Sequence, residues 1–244
     1  MAAGITRMTA RSVVLSVLLG AHPAWATAAE LIRLTADFGL RESTVRVALT
    51  RMVGAGDLVR SKDGYRLSDR LLARQRRQDD AVNPRMRPWA GEWIFVVVTA
   101  VGVDARDRAV LRTTLQHKRF GELREGVWLR PDNIDSDVPA EVAPRVRILH
   151  ARDDDSHGLA GALWDLDDWA SAGRQLLDDM SSATGIPDRF ETAAAIVRHL
   201  LTDPVLPDEL LSEGWPGDAL RRAYTDFAAE LAARRDDVQL MEAR

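Results

Sequence analysis

Residues 40–67 read LRESTVRVALTRMVGAGDLVRSKDGYRL. The structure predicted for this stretch determines which fold the rest of the N-terminal region can form. Its first half has apolar residues at the i, i+4, i+7, i+8 spacing of a helix with one buried stripe: Val45, Leu49, Met52 and Val53. Gly54-Ala-Gly56 then predicts the end of the helix, because glycine tolerates a left-handed turn. The pattern predicts an amphipathic helix with one face left for solvent or a partner.

A hairpin is predicted directly after this helix. Leu58–Arg60 and Tyr65–Leu67 are short β-like runs, and Ser61-Lys-Asp-Gly64 joins them. Asp-Gly between two such runs is a strong local signal for a tight turn. A helix followed by a hairpin, with two helices upstream, is the order of a winged helix-turn-helix domain.

The polar face of the predicted helix and the hairpin carry the chemistry of a DNA-binding surface. Arginine binds guanine edges or phosphates, hydroxyls bind either, and a branched apolar side chain can contact the thymine methyl group. The candidate DNA-binding residues are Arg41, Ser43, Thr44, Arg46, Val47, Thr50, Arg51, Arg60, Lys62 and Arg66. The alternative is a surface helix with ordinary solvated charges and an ordinary hairpin. Together, the helix, the hairpin and the upstream helices favour DNA binding.

Charge is distributed unevenly along the chain. Residues 1–86 hold 14 Lys+Arg against 8 Asp+Glu, a net charge of +6, whereas the remainder holds 19 against 29, a net charge of −10. These values sum to the −4 of the 244-residue chain. A basic N-terminal region on an acidic body is expected when one region meets phosphate and the other does not. The chain contains no cysteine, which excludes disulfides, thiol nucleophiles and thiolate metal sites.

The N-terminus can be interpreted in two ways. Arg7 and Arg11 precede an apolar run, and Ala24-Trp-Ala26 resembles a signal-peptide cleavage site. Alternatively, Thr9 caps a first helix that ends near Leu19 and supplies part of the winged domain's core. We favour the helix, and with it a cytoplasmic protein without a membrane segment.

Two further helices are predicted before the first domain boundary. Thr27 is expected to cap a helix over Ala28–Phe38, with Ala36 facing inward and Glu30 facing outward. Asp69–Gln78 predicts a short surface helix, whose arginines could contact the DNA backbone or belong to a plain linker. Two prolines in Asn83–Pro88 then break regular structure.

The middle of the chain predicts an α/β unit. The apolar run from Glu92 to Val101 is typical of a central buried strand. A helix over Asp104–Phe120 should follow, with four apolar residues inward: Ala109, Val110, Leu111 and Leu115. We expect Gly121–Gly126 to be a turn, and strands at Val127–Arg130 and Arg145–His150. This order suggests a ferredoxin-like sandwich.

The sequence as a whole therefore predicts an α+β protein. The expected parts are a winged helix-turn-helix domain over 1–68, a linker helix and proline-containing boundary over 69–88, a ferredoxin-like α/β sandwich over 89–155, and a helical C-terminal domain over 156–244. In the last part, helices are expected to end near Met180 and Leu201 and to run from Asp218 to Arg235.

Catalytic chemistry has weak support in the sequence. No serine-hydrolase elbow, phosphate-binding loop or zinc-protease motif is present. Asp153–Asp155, or Asp104 after the first strand, could hold Mg²⁺ in a nuclease, but clustered acids before a glycine are more typical of a solvated loop. We expect no enzyme activity, no catalytic residue, no metal site and no cofactor. Three tryptophans are expected in the core, with a ligand pocket as the alternative: Trp93, Trp128 and Trp215.

Several segments carry a family resemblance that extends over nearly the whole chain. They are Glu42–Met52, Leu111-Arg112, Phe120–Pro131, Trp164–Asp167, Asp203–Leu211 and Gly214–Gly217. With these segments the chain resembles the PaaX-type regulators, which repress genes of aromatic catabolism. The Gly-Val-Trp and Trp-Pro-Gly pieces are the more specific ones, because many winged domains share the helix.

The resemblance implies a homodimeric repressor that binds double-stranded operator DNA and is released by an acyl-CoA thioester such as phenylacetyl-CoA. It does not assign effector-binding residues. Two alternatives remain: a regulator that senses an unrelated small molecule, and a Mg²⁺-dependent nuclease targeted by the winged domain.

Overall fold

The computed structural model describes residues 8–100, 104–140 and 142–242 and has an α+β fold. The described residues form two compact units. The first unit comprises residues 8–82, 175–201 and 219–242, and the central unit comprises the described residues of 83–174 together with 202–218.

The first unit begins with three helices, a small sheet and a fourth helix. In chain order the elements are α1 (Ala10–Leu19), β1 (Trp25–Ala26), α2 (Ala28–Ala36), α3 (Glu42–Gly54), β2 (Leu58–Arg60), β3 (Tyr65–Leu67) and α4 (Asp69–Val82). Thr9 caps α1 by accepting a hydrogen bond from the Ser12 amide at 3.2 Å, as its position predicts. The predicted first helix and the hairpin are confirmed.

The sheet of this unit has three strands rather than the predicted two. Strand β1 pairs with β3, which also pairs with β2, and both pairings are antiparallel. A Cβ atom added to Gly64 at the hairpin tip would lie 2.5 Å from the carbonyl oxygen of Ala26. Glycine is needed there because strand β1 passes against the turn, a constraint that the Asp-Gly signal does not contain.

The core of the first unit joins the N-terminal helices to two later ones. The apolar side of α1 packs with Leu31, Leu49 and Met52 of the next two helices. Helices α8 (Ile186–Leu200) and α9 (Gly217–Glu242) add Phe190 and Phe227, whose rings meet edge to face at 6.1 Å. Burial of side chains of this size contributes about 1.5–3 kcal/mol each. Helices distant in sequence therefore share one core with α1–α3.

Two side-chain orientations predicted for α2 are wrong. Glu30 is buried although it was expected to face outward, and Ala36 is exposed although it was expected inward. The Glu30 carboxylate accepts a hydrogen bond from the Thr27 amide at 2.6 Å, and its other oxygen lies 3.3 Å from Nε of Arg235. A capping box and an arginine from α9 thus make burial of this acid possible.

Helix α4 is longer and more buried than predicted. It continues four residues beyond Gln78 and buries Leu71, Gln75, Ala81 and Val82. The Gln75 amide donates to the carbonyls of Leu19 and Ala21 at 2.9 Å, satisfying oxygens at the end of α1. Helix α4 is therefore joined to α1 by specific hydrogen bonds.

The central unit contains a four-stranded antiparallel sheet with one long helix after its first strand. The elements are β4 (Glu92–Val98), α5 (Ala105–His117), β5 (Gly121–Arg124), β6 (Val127–Pro131) and β7 (Val146–Arg152), and the strand order is β5-β6-β4-β7. The predicted central position of the first strand is confirmed. Val101, its predicted end, lies outside the described residues.

Three details of this unit differ from the prediction. Gly121–Arg124 is a strand because it pairs with β6 instead of only turning the chain. Ala109 and Val110 of α5 are exposed, while Leu111 and Leu115 are buried as expected. The buried stripe of α5 is therefore narrower than its apolar residues suggest.

A buried arginine anchors the Asp203–Pro207 segment in the central unit. Nη2 of Arg130 lies 2.8 Å from Oδ1 of Asn133 and 3.5 Å from the Val205 carbonyl, to which the Asn133 amide also donates. Burial, followed by the nearby positive charge of Arg119, lowers the pKa of Arg130 to about 9. The network holds Val205 at a φ of +51°, so buried polar contacts support an unfavourable backbone conformation.

The remaining helices lie as broadly predicted, with different ends. They are α6 (Ser156–Leu163), α7 (Leu166–Ser182), and α8 and α9 as given above. Trp93 and Trp128 are buried, and Trp215 stacks on Trp169 with ring centroids 4.6 Å apart. Across the described parts of the chain, none of the helices has the length and apolar character needed to cross a membrane.

Candidate nucleic-acid interface

Helix α3 has one buried and one exposed side, as its spacing predicts. Val45, Leu49 and Met52 are buried in the core of the first unit. Arg41 occupies the N-cap position without a side-chain cap, and Gly56 takes a φ of +71° just after the helix. Because the core holds the apolar side, the opposite side is presented to solvent in a rigid arrangement.

All ten predicted DNA-binding residues are exposed. Seven belong to the start and the outer side of α3: Arg41, Ser43, Thr44, Arg46, Val47, Thr50 and Arg51. The apolar Val47 retains half of its accessible surface, at 50%. Thr50 donates to the Arg46 carbonyl at 3.1 Å, which leaves its hydroxyl oxygen able to accept. The exposed side thus offers cations, hydroxyls and one branched apolar group.

A shallow groove runs between this side of α3 and the start of α1. Ser43, Thr44, Val47 and Arg51 line it from α3, and Arg11 lines it from α1. Sequence analysis did not place Arg11 at this surface, because its position depends on how α1 packs against α3. The groove therefore widens the basic surface beyond a single helix.

The hairpin adds three cations next to α3. Arg60, Lys62 and Arg66 are all exposed, and Arg66 lies 3.8 Å from the Asp69 carboxylate. Ser61 and Gly64 close the tip, with the Ser61 amide donating to the Gly64 carbonyl at 2.8 Å. Within the described ranges of the chain, no hydrogen bond or ion pair involves the side chains of four of the six predicted cations: Arg41, Arg51, Arg60 and Lys62. These cations are available to an external anion.

A buried carboxylate that sequence analysis missed connects the parts of this surface. Asp57, just before β2, accepts from Nε and Nη2 of Arg11 at 3.0 and 2.7 Å and from Nη2 of Arg70 at 2.6 Å. Its side chain is 3% exposed, whereas both arginines are largely exposed. Asp57, Arg11 and Arg70 form what we call the Asp57 cluster. It contains one negative charge and two positive charges, so its net charge is positive. A polar residue between Gly56 and Leu58 gives no sequence signal for such a role.

Acidic groups are few on this surface. Glu42 pairs with Arg46, Asp57 is buried, Asp63 lies at the hairpin tip, and Asp69 lies beside Arg66. Exposed cations from α1, α3, the hairpin and α4 outnumber these acids, so the surface suits a polyanion.

Two of the acids considered for a nuclease, Asp104 and Asp155, cap helices. Asp104 accepts from the Asp107 amide at 2.7 Å at the start of α5, and Asp155 accepts from the Gly158 amide at 2.9 Å at the start of α6. Elsewhere in the central unit, Glu92, Asp132 and His150 bring one possible ligand atom each within 4.8 Å of the others. Arg87 pairs with the Asp132 carboxylate, and this guanidinium would compete with a cation.

Three family models match this chain in sequence order. They are described as PaaX-like protein over residues 9–71, PaaX protein central Cas2-like domain over residues 86–157, and PaaX-like protein C-terminal domain over residues 164–239. The chain belongs to the PaaX family. The resemblance inferred from its sequence segments is confirmed.

Two individual proteins are similar to this chain over most of its length. The transcriptional repressor PaaX of Escherichia coli K12 is 27% identical over 232 residues, covering 83% of this chain and 73% of that protein. Among solved structures, the uncharacterized protein Rv0674 from Mycobacterium tuberculosis is 69% identical. That match has a TM-score of 0.84 and covers 95% of this chain and 99% of the other.

Proposed function

We propose that this protein is a dimeric, sequence-specific DNA-binding transcriptional repressor whose release from DNA is controlled by an acyl-CoA thioester. The observation that carries the proposal is the exposed side of α3, which combines arginines, hydroxyls and Val47 on a rigid helix beside a basic hairpin. This combination matches the donors and apolar groups used to bind base edges in the major groove.

The proposed domain layout is the one expected from the sequence. Helices α1–α3 with the hairpin support a winged helix-turn-helix domain over residues 1–68, in which α3 enters the major groove and the wing contacts backbone or minor groove. The strand order β5-β6-β4-β7 supports a ferredoxin-like domain over 89–155. The linker over 69–88 and the helical C-terminal part over 156–244 complete the layout, and α8 and α9 of that last part pack into the core of the first unit.

The regulatory part of the proposal rests on family membership. The Escherichia coli relative is a transcriptional repressor by name, and this supports repression as the regulatory outcome. We extend the proposal to a cytoplasmic homodimer, whose two-fold symmetry predicts a palindromic operator with half-sites about one or two helical turns apart, one turn being roughly 34 Å.

The test is fluorescence anisotropy with labelled DNA from the promoter region of the protein's own gene, titrated with and without phenylacetyl-CoA. Tight binding that the thioester abolishes would support both the DNA-binding and the effector parts. Tight binding that persists would retain the DNA-binding part and favour an unrelated effector.

A cleavage control separates the proposal from a nuclease. The same DNA is incubated with the protein and Mg²⁺ and then examined on a denaturing gel. Intact DNA is the expected result. Cleavage that disappears on chelation, together with absence of sequence-preferring binding, would overturn the repressor proposal.

A further inference from the structure

The first unit contains a partly open cavity of about 460 Å³ between its N-terminal and C-terminal helices. Its apolar walls come from both sides: Val17 of α1, Leu34 of α2, Phe190 and Val197 of α8, and Phe227 and Leu231 of α9. This volume lies in the range of pockets that bind small organic molecules. The cavity is formed by helices that are separated by more than a hundred residues in the chain.

The charged side chains that line this cavity are arginines. Arg74, Arg198 and Arg235 line it, and no aspartate or glutamate is among the described residues that do so. His22 also lines it, with Nε2 at 3.1 Å from the Asp79 carboxylate. The chain as a whole carries more acidic than basic residues, 37 against 33. A lining with three arginines and no carboxylate is therefore opposite to the overall charge and suits an anion.

Two of the three arginines are available to a ligand. Arg235 is occupied, because it donates to the carboxylate of Glu30 and to the Trp25 carbonyl. Arg74 and Arg198 line the cavity, are exposed, and have no hydrogen bond or ion pair with any residue that the structure describes. The cavity thus combines apolar walls with two guanidinium groups that have no partner among the described residues.

A tyrosine hydroxyl supplies a further polar group. The Tyr224 hydroxyl lies near Gly20, at 3.7 Å from the position of an added Cβ, and has no hydrogen-bond partner among the described residues. Burial, and then the Asp79 carboxylate, raises the pKa of Tyr224 above its usual value. The hydroxyl therefore remains protonated at neutral pH and can donate to an oxygen of a ligand.

We propose that this cavity binds an organic anion with an apolar acyl body, with the body between α1, α8 and α9 and the anionic group at Arg74 and Arg198. The proposal locates the effector site and to that extent rests on the proposed function. Both a free aryl carboxylate and its acyl-CoA thioester have this chemistry, and the experiment distinguishes them.

Helix α1 connects the cavity to the proposed DNA-binding surface, so ligand binding in the cavity can affect DNA binding. Helix α1 lines the cavity with Ser16 and Val17 and packs on its other side against α3. A ligand that binds more tightly to one arrangement of α1 and α9 than to another would shift the population of α3 orientations. Ligand binding and DNA release are then separate, measurable steps.

The first experiment is isothermal titration calorimetry on the full chain without DNA, with phenylacetate, phenylacetyl-CoA and free coenzyme A as probes. Saturable binding of phenylacetate would identify the free acid as a sufficient ligand, and binding of the thioester alone would identify the thioester. Either result supports the proposal. Absence of binding by both, or coenzyme A binding as tightly as the thioester, would overturn it, because the acyl body must contribute.

Matched variants test the location. Ala232 and Ala233 are exposed neighbours on α9, and Ala232 lines the cavity while Ala233 does not. Ala232→Phe should raise the Kd of the binding probe by about tenfold or more, equivalent to about 1.4 kcal/mol, whereas Ala233→Phe should leave it unchanged. Equal effects of the two substitutions would overturn the assignment.

A charge reversal provides an independent second test. Arg198→Glu should weaken binding by about tenfold or more, while Arg222→Glu, an exposed control on α9, should not. Circular dichroism confirms that each variant is folded. An Arg198→Glu variant that binds like the wild type would overturn the anionic part of the proposal. If the wild-type protein binds a probe in calorimetry but shows no sequence-preferring DNA binding by anisotropy, the repressor function is contradicted and the ligand site is not.

Discussion

The guanidinium of Arg46 lies against the carboxylate of Glu42 one turn earlier on α3, with Nε and Nη2 each 2.7 Å from Oε1. Both side chains are more than half exposed. An exposed pair of this kind contributes little to stability, about 0.3–0.5 kcal/mol. We expect the pair to orient the arginine for DNA binding, because a guanidinium that is already held loses less conformational freedom on binding.

Arg46→Ala should damage specific DNA binding more than nonspecific binding. Loss of a base-edge contact should cost about 1–3 kcal/mol on the operator. The effect on scrambled DNA should be much smaller. Anisotropy titrations on both DNAs at one salt concentration measure the difference. Equal losses on the two DNAs would show that Arg46 does not contact bases. Glu42→Gln in the same assay tests whether the carboxylate orients Arg46.

Lys62→Ala should weaken binding to operator and scrambled DNA alike. Lys62 is at the hairpin tip, exposed and without a partner among described residues, so a phosphate is its expected contact. The slope of log K against log salt should become about one unit less steep. Arg222→Ala, which removes an exposed cation from α9, is the control and should keep the wild-type slope. A Lys62→Ala slope equal to that of the control would remove this lysine from the interface.

Gly64→Ala should destabilise the first unit by about 1–3 kcal/mol through overpacking. The added Cβ would meet the Ala26 carbonyl oxygen at 2.5 Å, and a strand backbone cannot move aside as a flexible side chain can. Gly54→Ala is the matched control, because nothing lies within 4 Å of its added Cβ. In a helix that change should be neutral or stabilising by up to about 1 kcal/mol. Urea unfolding midpoints measure both, and a Gly64→Ala midpoint at the wild-type value would refute the close-contact explanation.

Asp57→Asn should lower both stability and DNA affinity. The substitution removes the charge that holds Arg11 and Arg70, and a hydrogen bond to a charged group contributes about 1.5–3 kcal/mol. Because Arg11 and Arg70 are solvent-exposed, we expect the free energy of unfolding to fall by an amount at the lower end of that range. Urea unfolding measures the stability, and anisotropy measures the affinity. Unchanged DNA affinity despite lower stability would show that the Asp57 cluster supports the fold without positioning the interface.

Tyr224→Phe should remove part of the loss of stability at alkaline pH. Burial raises the pKa of Tyr224 in the folded chain above the value of about 10 in the unfolded chain. Above about pH 10 the unfolded chain releases a proton that the folded chain retains, so stability falls as pH rises. Below that pH both states are protonated and the contribution is constant. Urea midpoints of the two proteins between about pH 8 and 11 test this, and parallel curves would contradict it.

Several features of this chain could be predicted because their causes are local. The buried stripe of α3 depends on residues within two helical turns, and the β2–β3 hairpin depends on one tetrapeptide. The same is true of the Thr9 cap, since its partner lies three residues away. The exposed positions of Arg46 and Lys62 follow from these local patterns. Their contact with DNA remains a prediction.

The features that were missed depend on partners far away in the chain. Glu30 is buried because Arg235, 205 positions later, supplies its counter-charge. Strand β1 exists because β3 pairs with it, and Asp57 is buried because two arginines from separate helices converge on it. Amphipathic spacing and caps are set by short-range sterics and hydrogen bonds, which the sequence of α3 and its hairpin already contains. The cavity, the Asp57 cluster and the extent of the basic surface arise from packing between distant helices, which no local pattern encodes.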